Sequence, residues 1–162
     1  MVVKPVSELA EVTIRSMASN GSGGGKLPDG RVVFVPRTAP GDLVRVRVST
    51  VKRRWANGHV DEVLQPAEGR RDPPCPLYDR CGGCSLQHLP YTEQLKWKGR
   101  FVVDALSRIG RLEVDEVAVT ASPKPFRYRN KITFTLKRLS GGRVVAGFHA
   151  LRRSNYVVDI KD

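Results

Sequence analysis

The chain has 162 residues, and its 28 lysines and arginines against 16 aspartates and glutamates leave a formal net charge of +12. That length holds one ordinary domain or two small ones, and the positive excess points to a polyanionic partner, most simply nucleic acid. No apolar run approaches the ~18 residues of a membrane-spanning helix, and Met1–Ala10 lacks the basic and apolar pattern of a secretory leader. A cytoplasmic protein with no membrane partner is expected, and a monomer.

Residues 1–66 read as a small β-barrel. Val12–Ile14 is a short strand, 20–25 (Asn-Gly-Ser-Gly-Gly-Gly) a flexible loop, and Pro28-Asp29-Gly30 a turn. Val32–Val35 is a compact apolar run and Pro40-Gly41 turns the chain again. Val44, Val46 and Val48 then alternate with Arg45, Arg47 and Ser49, the period of a strand with one wet face, and Gly58–Leu64 supplies another. Short strands with frequent turns predict an OB-like barrel. The glycine run does not make a nucleotide loop. Lys26 is followed by Leu27 where a phosphate-binding loop needs Ser or Thr, and Lys26 stands where a dinucleotide fingerprint needs Gly. Lys52-Arg53-Arg54 followed by Trp55 offers phosphate contact beside a stacking ring.

Residues 67–90 are loop-rich and hold all three cysteines, Cys75, Cys81 and Cys84, at C-x5-C-x2-C spacing. Short loops bring such sulfurs together, Gly82-Gly83 permits a tight turn, and prolines at 73, 74 and 76 stiffen the approach. The context is too polar for buried structural cysteines, and nothing indicates the oxidising compartment a disulfide needs. Metal or cluster binding follows. The spacing is one residue longer than the C-x4-C-x2-C of plant-type iron–sulfur proteins. His88 lies four positions after Cys84, so a Cys3His zinc tetrahedron can also be drawn.

A connecting helix is predicted over 91–112, opened by Pro90 and stopped by Gly110. Tyr91, Leu95, Val102, Leu106 and Ile109 are expected to share its buried face, and Gly99 to weaken its middle by about 1 kcal/mol. Residues 113–162 read as a second, incomplete β-domain. Val117–Ala121 is a strand. Ile132, Phe134 and Leu136 alternate with Lys131, Thr133, Thr135 and Lys137, 140–142 (Ser-Gly-Gly) is a hairpin turn, Val144, Ala146 and Phe148 alternate on the return strand, and Tyr156–Ile160 starts one more. No acidic residue stands between Glu116 and Asp159, an interval that contains Lys124, Arg127, Arg129, Lys131 and Lys137. Arg127, Arg129, Lys131 and Lys137 join Lys52, Arg53, Arg54 and Trp55 as candidate RNA contacts. The fold class is thus mainly β: barrel, cysteine loop, helix and the start of a second sheet.

Four stretches resemble the N-terminal part of bacterial 23S rRNA uracil-5-methyltransferases. They are 30–36 with 40–44, similar to an RNA-binding TRAM domain; 75–88, similar to a cluster motif; 91–98; and 128–131 with Gly147-Phe148. The resemblance implies a 4Fe–4S cluster with Cys75, Cys81 and Cys84 as three ligands and a fourth cysteine beyond Asp162. It also implies ribosomal RNA as partner, S-adenosylmethionine as the parent enzyme's cofactor, and a uracil-5-methyltransfer in which a separate cysteine adds to the base. None of those catalytic groups is in the chain, so a truncated portion, inactive alone, is expected. The alternative is a stand-alone RNA-binding protein with a Cys3His zinc site.

Overall fold

A computed structural model describes residues 8–160, apart from the side chain of Ser154. It contains eight strands and one helix in the order β1 (Leu9–Met17), β2 (Ser22–Lys26), β3 (Val32–Pro36), β4 (Leu43–Val51), β5 (Trp55–Gln65), α1 (Tyr91–Arg108), β6 (Thr135–Arg138), β7 (Val144–Ala150) and β8 (Arg153–Asp159). The chain forms two bodies. One comprises the described residues up to Asp72 together with His88–Ala121; the other comprises Pro73–Gln87 together with the residues from Ser122 onward.

The first body is built on a closed barrel in the order β1-β2-β3-β5-β4. All its pairings are antiparallel except β3 with β5, which is parallel. The alternation read in β4 is obeyed: Val44, Val46 and Val48 point inward and join Val12, Ile14, Leu27, Val33, Val35 and Ala56 in the core. Burying valine-sized side chains there contributes roughly 1.5–3 kcal/mol each.

The glycine run is a strand, not a flexible loop. In β2, Ser22–Gly25 are all buried. A Cβ on Gly25 would run into Val12 and lie 2.7 Å from the carbonyl oxygen of Thr13, and one on Gly23 would meet Thr38 and approach Ile14 to 2.7 Å. The narrow barrel leaves no room for side chains on this strand, so glycine serves close approach there, at the entropic cost glycine always carries.

The helix begins after Pro90, its N-cap residue, and ends at Ile109. Its buried positions are Gly99 and Val103, while Val102 and Ile109 are exposed. The inward line therefore runs Leu95, Gly99, Val103 rather than through Val102. The segment after the helix accounts for this. Val119 would lie 3.0 Å from a Cβ on Gly99 and Val117 3.8 Å, so the bare glycine lets that segment lie against α1. Residues 117–121 form no strand; they pack on a helix instead of pairing.

The second body holds an antiparallel sheet of order β6-β7-β8. Strand β6 starts only at Thr135, and Ile132, Phe134, Leu136 and Val144 are exposed, Leu136 at 70%. The buried residues are Val145, Val157 and Val158. On β7 the strand buries Val145 and Gly147 while Val144 is exposed, so the expected inward line of Val144, Ala146 and Phe148 is not the one most buried.

Candidate nucleic-acid interface and cysteine loop

The outer surface of the barrel follows from strand register. Because Val33 and Val35 are inside, Val32 and Phe34 face outward. Phe34 stands opposite Gly24 on β2 and Asn57 on β5, and Val32 stands opposite Lys26 and Trp55. Trp55 is 37% exposed. Its ring meets that of Phe34 edge-on, with centroids 6.5 Å apart. The turn before it closes by donation from the Lys52 N–H to the Trp55 carbonyl at 2.8 Å, leaving Lys52, Arg53 and Arg54 exposed. Arg31 is held by Asp29, whose carboxyl the guanidinium keeps below its usual range by hydrogen bonding.

Two other barrel cations are matched by carboxylates, while Arg15 on β1 is exposed. Arg45 pairs with Glu62 and with Glu11, and Arg47 pairs with Asp61 at 2.7 Å. Among the described residues no ion pair engages Lys26, Lys52, Arg53 or Arg54.

In the second body, Arg127, Arg129 and Lys131 are exposed in an irregular segment ahead of β6, with Arg127 at a positive φ of 56°. They lie outside the strand, so its alternation does not align them with Lys137. Lys137 is half-buried on β6 and donates to the carbonyl of Asn155.

The cysteine loop is tied to the second sheet by backbone bonds. The Gly82 N–H donates to the His149 carbonyl and the Leu151 N–H to that of Arg80, both at 2.9 Å, and Cys81 bridges Ala150. A Cβ on Gly83 would strike the Phe148 ring at 2.7 Å, and one on Gly82 would lie 2.8 Å from the His149 oxygen. The two glycines thus allow the loop to lie directly on β7. Tyr78, buried, closes it by donating to the Ser85 carbonyl at 2.9 Å. Cys75 is half-buried, Cys81 buried and Cys84 exposed, all as free thiols. The Gly83 N–H points at the Cys81 sulfur at 3.4 Å. Among the described residues no three His, Cys, Asp or Glu side chains are grouped to hold a metal ion, so the thiols lie near in sequence without forming a closed ligand set.

His88 belongs to the first body, is 1% exposed, and its Nε2 lies 3.0 Å from the Thr38 carbonyl. A carbonyl only accepts, so Nε2 carries the proton. Burial pushes the His88 pKa down to about 4, helped by the charges of Arg70 and Arg37 and opposed by the Thr38 bond and Asp42. Next to it, the fully buried Asp42 carboxylate accepts from the Ala39 N–H at 2.7 Å, the Ala67 N–H at 2.8 Å and Arg70 Nη1 at 2.6 Å. Arg70 Nη2 donates to the Arg37 carbonyl, and the Arg71 N–H to the His88 carbonyl, both at 3.0 Å. This knot holds together the two points where the chain leaves the first body and returns to it. Sequence reasoning missed it. The signal available was Asp42 directly after the Pro40-Gly41 turn, where a carboxylate can reach back to a turn N–H.

Residues 6–60 match the TRAM domain family. An uncharacterised RNA methyltransferase of Thermosynechococcus vestitus is 45% identical over 151 residues, 93% of this chain and 33% of that protein. One from Halalkalibacterium halodurans is 35% identical over 96% of this chain and 34% of its own length. The crystal structure of Pyrococcus abyssi tRNA (uracil-54, C5)-methyltransferase in complex with S-adenosyl-L-homocysteine superposes with a TM-score of 0.58 at 31% identity, over 94% of this chain and 32% of that one. The chain spans about a third of the length of these relatives. With its closed barrel and cysteine loop, it carries a TRAM domain and resembles, along nearly all its length, the N-terminal, TRAM-bearing part of uracil methyltransferases.

Proposed function

We propose that this chain is the substrate-binding portion of an S-adenosylmethionine-dependent RNA uracil-5-methyltransferase acting on 23S ribosomal RNA. The observation that carries the reading is that similarity to RNA methyltransferases runs through barrel, cysteine loop, helix and second sheet alike, over 93% of the chain or more in the first relatives. In this reading methyl transfer belongs to a cofactor-binding domain outside these residues. The chain holds RNA through Lys52, Arg53, Arg54 and Trp55 on the barrel and Arg127, Arg129, Lys131 and Lys137 in the second body, by phosphate contact and stacking.

Cys75, Cys81 and Cys84 are proposed as three of the four ligands of a 4Fe–4S cluster, none of them a catalytic nucleophile. Their spacing and the Gly83 N–H aimed at Cys81 support this. The three thiols on their own do not complete a four-ligand site. The cluster's role would be to staple a loop that buries little apolar surface. Nothing in the geometry favours the zinc alternative, since His88 is occupied with Thr38.

The test uses the chain as it is. It is expected to bind 23S RNA in a salt-dependent way and to transfer no labelled methyl group from S-adenosylmethionine. Methyl transfer by the chain alone would overturn the assignment, and so would binding no tighter than that of an unrelated protein of equal charge. Anaerobic incubation with iron and sulfide is expected to give brown protein. A colourless product holding one zinc, released in the His88→Ala variant, would overturn the cluster.

A further inference from the structure

We propose that Trp55 and Phe34 form a stacking platform for an unpaired base, so that the barrel selects single-stranded over duplex RNA. This deepens the RNA-binding reading above and rests on it. Three features of the outer face converge on the same ligand chemistry.

The first is flat apolar surface. The two rings meet edge-on, at an interplanar angle of 63°, a contact that covers at most one face of one ring and leaves π surface open. The second is the missing neighbour. Gly24 stands directly opposite Phe34, and a Cβ there would lie 2.6 Å from Ser16 Oγ. Gly24 brings no side chain against Phe34 but is itself buried, so Phe34 is half-buried and the more open ring is that of Trp55. On the other flank the exposed Asn57 offers an amide, both donor and acceptor, to a base edge. The third is charge beside the ring. Lys26 lies across Val32 from Trp55, and Lys52, Arg53 and Arg54 precede it. Like the exposed Arg15 of β1, these cations have no ion pair among the described residues, whereas Arg45 and Arg47 are held by carboxylates.

Charge alone would favour any polyanion. Charge around an exposed ring favours one whose bases are free to leave a stack, because a duplex hides its base faces and presents only phosphates.

The chain has two tryptophans, so the Trp97→Phe variant leaves Trp55 as the only indole. In that variant, short oligouridine is expected to quench the emission strongly, and a blunt-ended RNA duplex of similar length only weakly. Trp55→Leu is expected to weaken oligouridine binding about tenfold and to leave duplex binding nearly unchanged. Trp55→Phe, which keeps a ring, is expected to retain most of the affinity, and thermal unfolding of both variants checks that the barrel is intact. If folded Trp55→Leu binds oligouridine as well as the parent chain, the platform is overturned while RNA binding stands. If the parent chain binds neither RNA, both readings fall.

Discussion

The carboxylate of Asp42 and the guanidinium of Arg70 meet at 2.6 Å, 28 residues apart in sequence, with Asp42 wholly removed from solvent. Asp42 is the hub of the join between the barrel and the chain that leads out to the cysteine loop and back. Its carboxylate also accepts from the backbone N–H groups of Ala39 and Ala67.

Replacing Asp42 with Ala is expected to destabilise the first body by about 3 kcal/mol or more, because a buried ion pair loses one partner and two N–H groups lose their acceptor. Urea unfolding followed by far-UV circular dichroism measures this. A loss below about 1 kcal/mol would show that Asp42 is not the hub.

His88 predicts a pH dependence of stability. Its folded pKa lies near 4, below the ordinary value of 6.5, so the unfolded chain binds the proton more readily. The stability associated with a neutral His88 is present in full above about pH 6.5. It falls as the pH drops toward 4 and levels off below that, by on the order of 3 kcal/mol in all. Denaturant midpoints between pH 4 and 7 are expected to flatten in His88→Gln relative to the parent chain; parallel slopes would rule out this titration as the source.

The two kinds of glycine separate by packing. Gly25→Ala is expected to cost at least ~2 kcal/mol, since the added methyl collides with Val12 and the Thr13 carbonyl inside the barrel. Gly141→Ala, where nothing lies within 4 Å and φ is not in the left-handed region, is expected to change thermal stability little or to raise it slightly. Equal melting temperatures for the two variants would contradict the strand assignment of β2.

Salt dependence tests the second-body contacts. Replacing Arg127, Arg129 and Lys131 with Ala is expected to reduce the slope of log K against log salt by about 2, at roughly 0.7 per phosphate on a single strand. Replacing Arg45 and Arg47, whose charge is already matched by Glu11, Glu62 and Asp61, is expected to leave the slope nearly unchanged. Equal reductions from both sets would mean diffuse attraction with no preferred face.

Local pattern alone determined a good part of this protein. The period-two valines of β4, the Pro90-to-Gly110 limits of the helix, the cysteine spacing and the acid-free basic interval are all properties of neighbouring residues, and the strand, helix and composition rules act at that range. What only the tertiary structure decided depends on residues far apart in sequence. Glycines 23–25 read as a flexible loop because glycine is permissive, and they become a buried strand because Val12, Ile14 and Thr38 leave no space for a Cβ. Val117 and Val119 have strand-like composition, yet the bare surface of Gly99 draws them onto a helix. His88 follows Cys84 at zinc-ligand spacing, but its ring is buried and its Nε2–H donates to the Thr38 carbonyl, 50 residues away. In each case sequence spacing proposed a partner, and burial with exclusion of volume selected a different one.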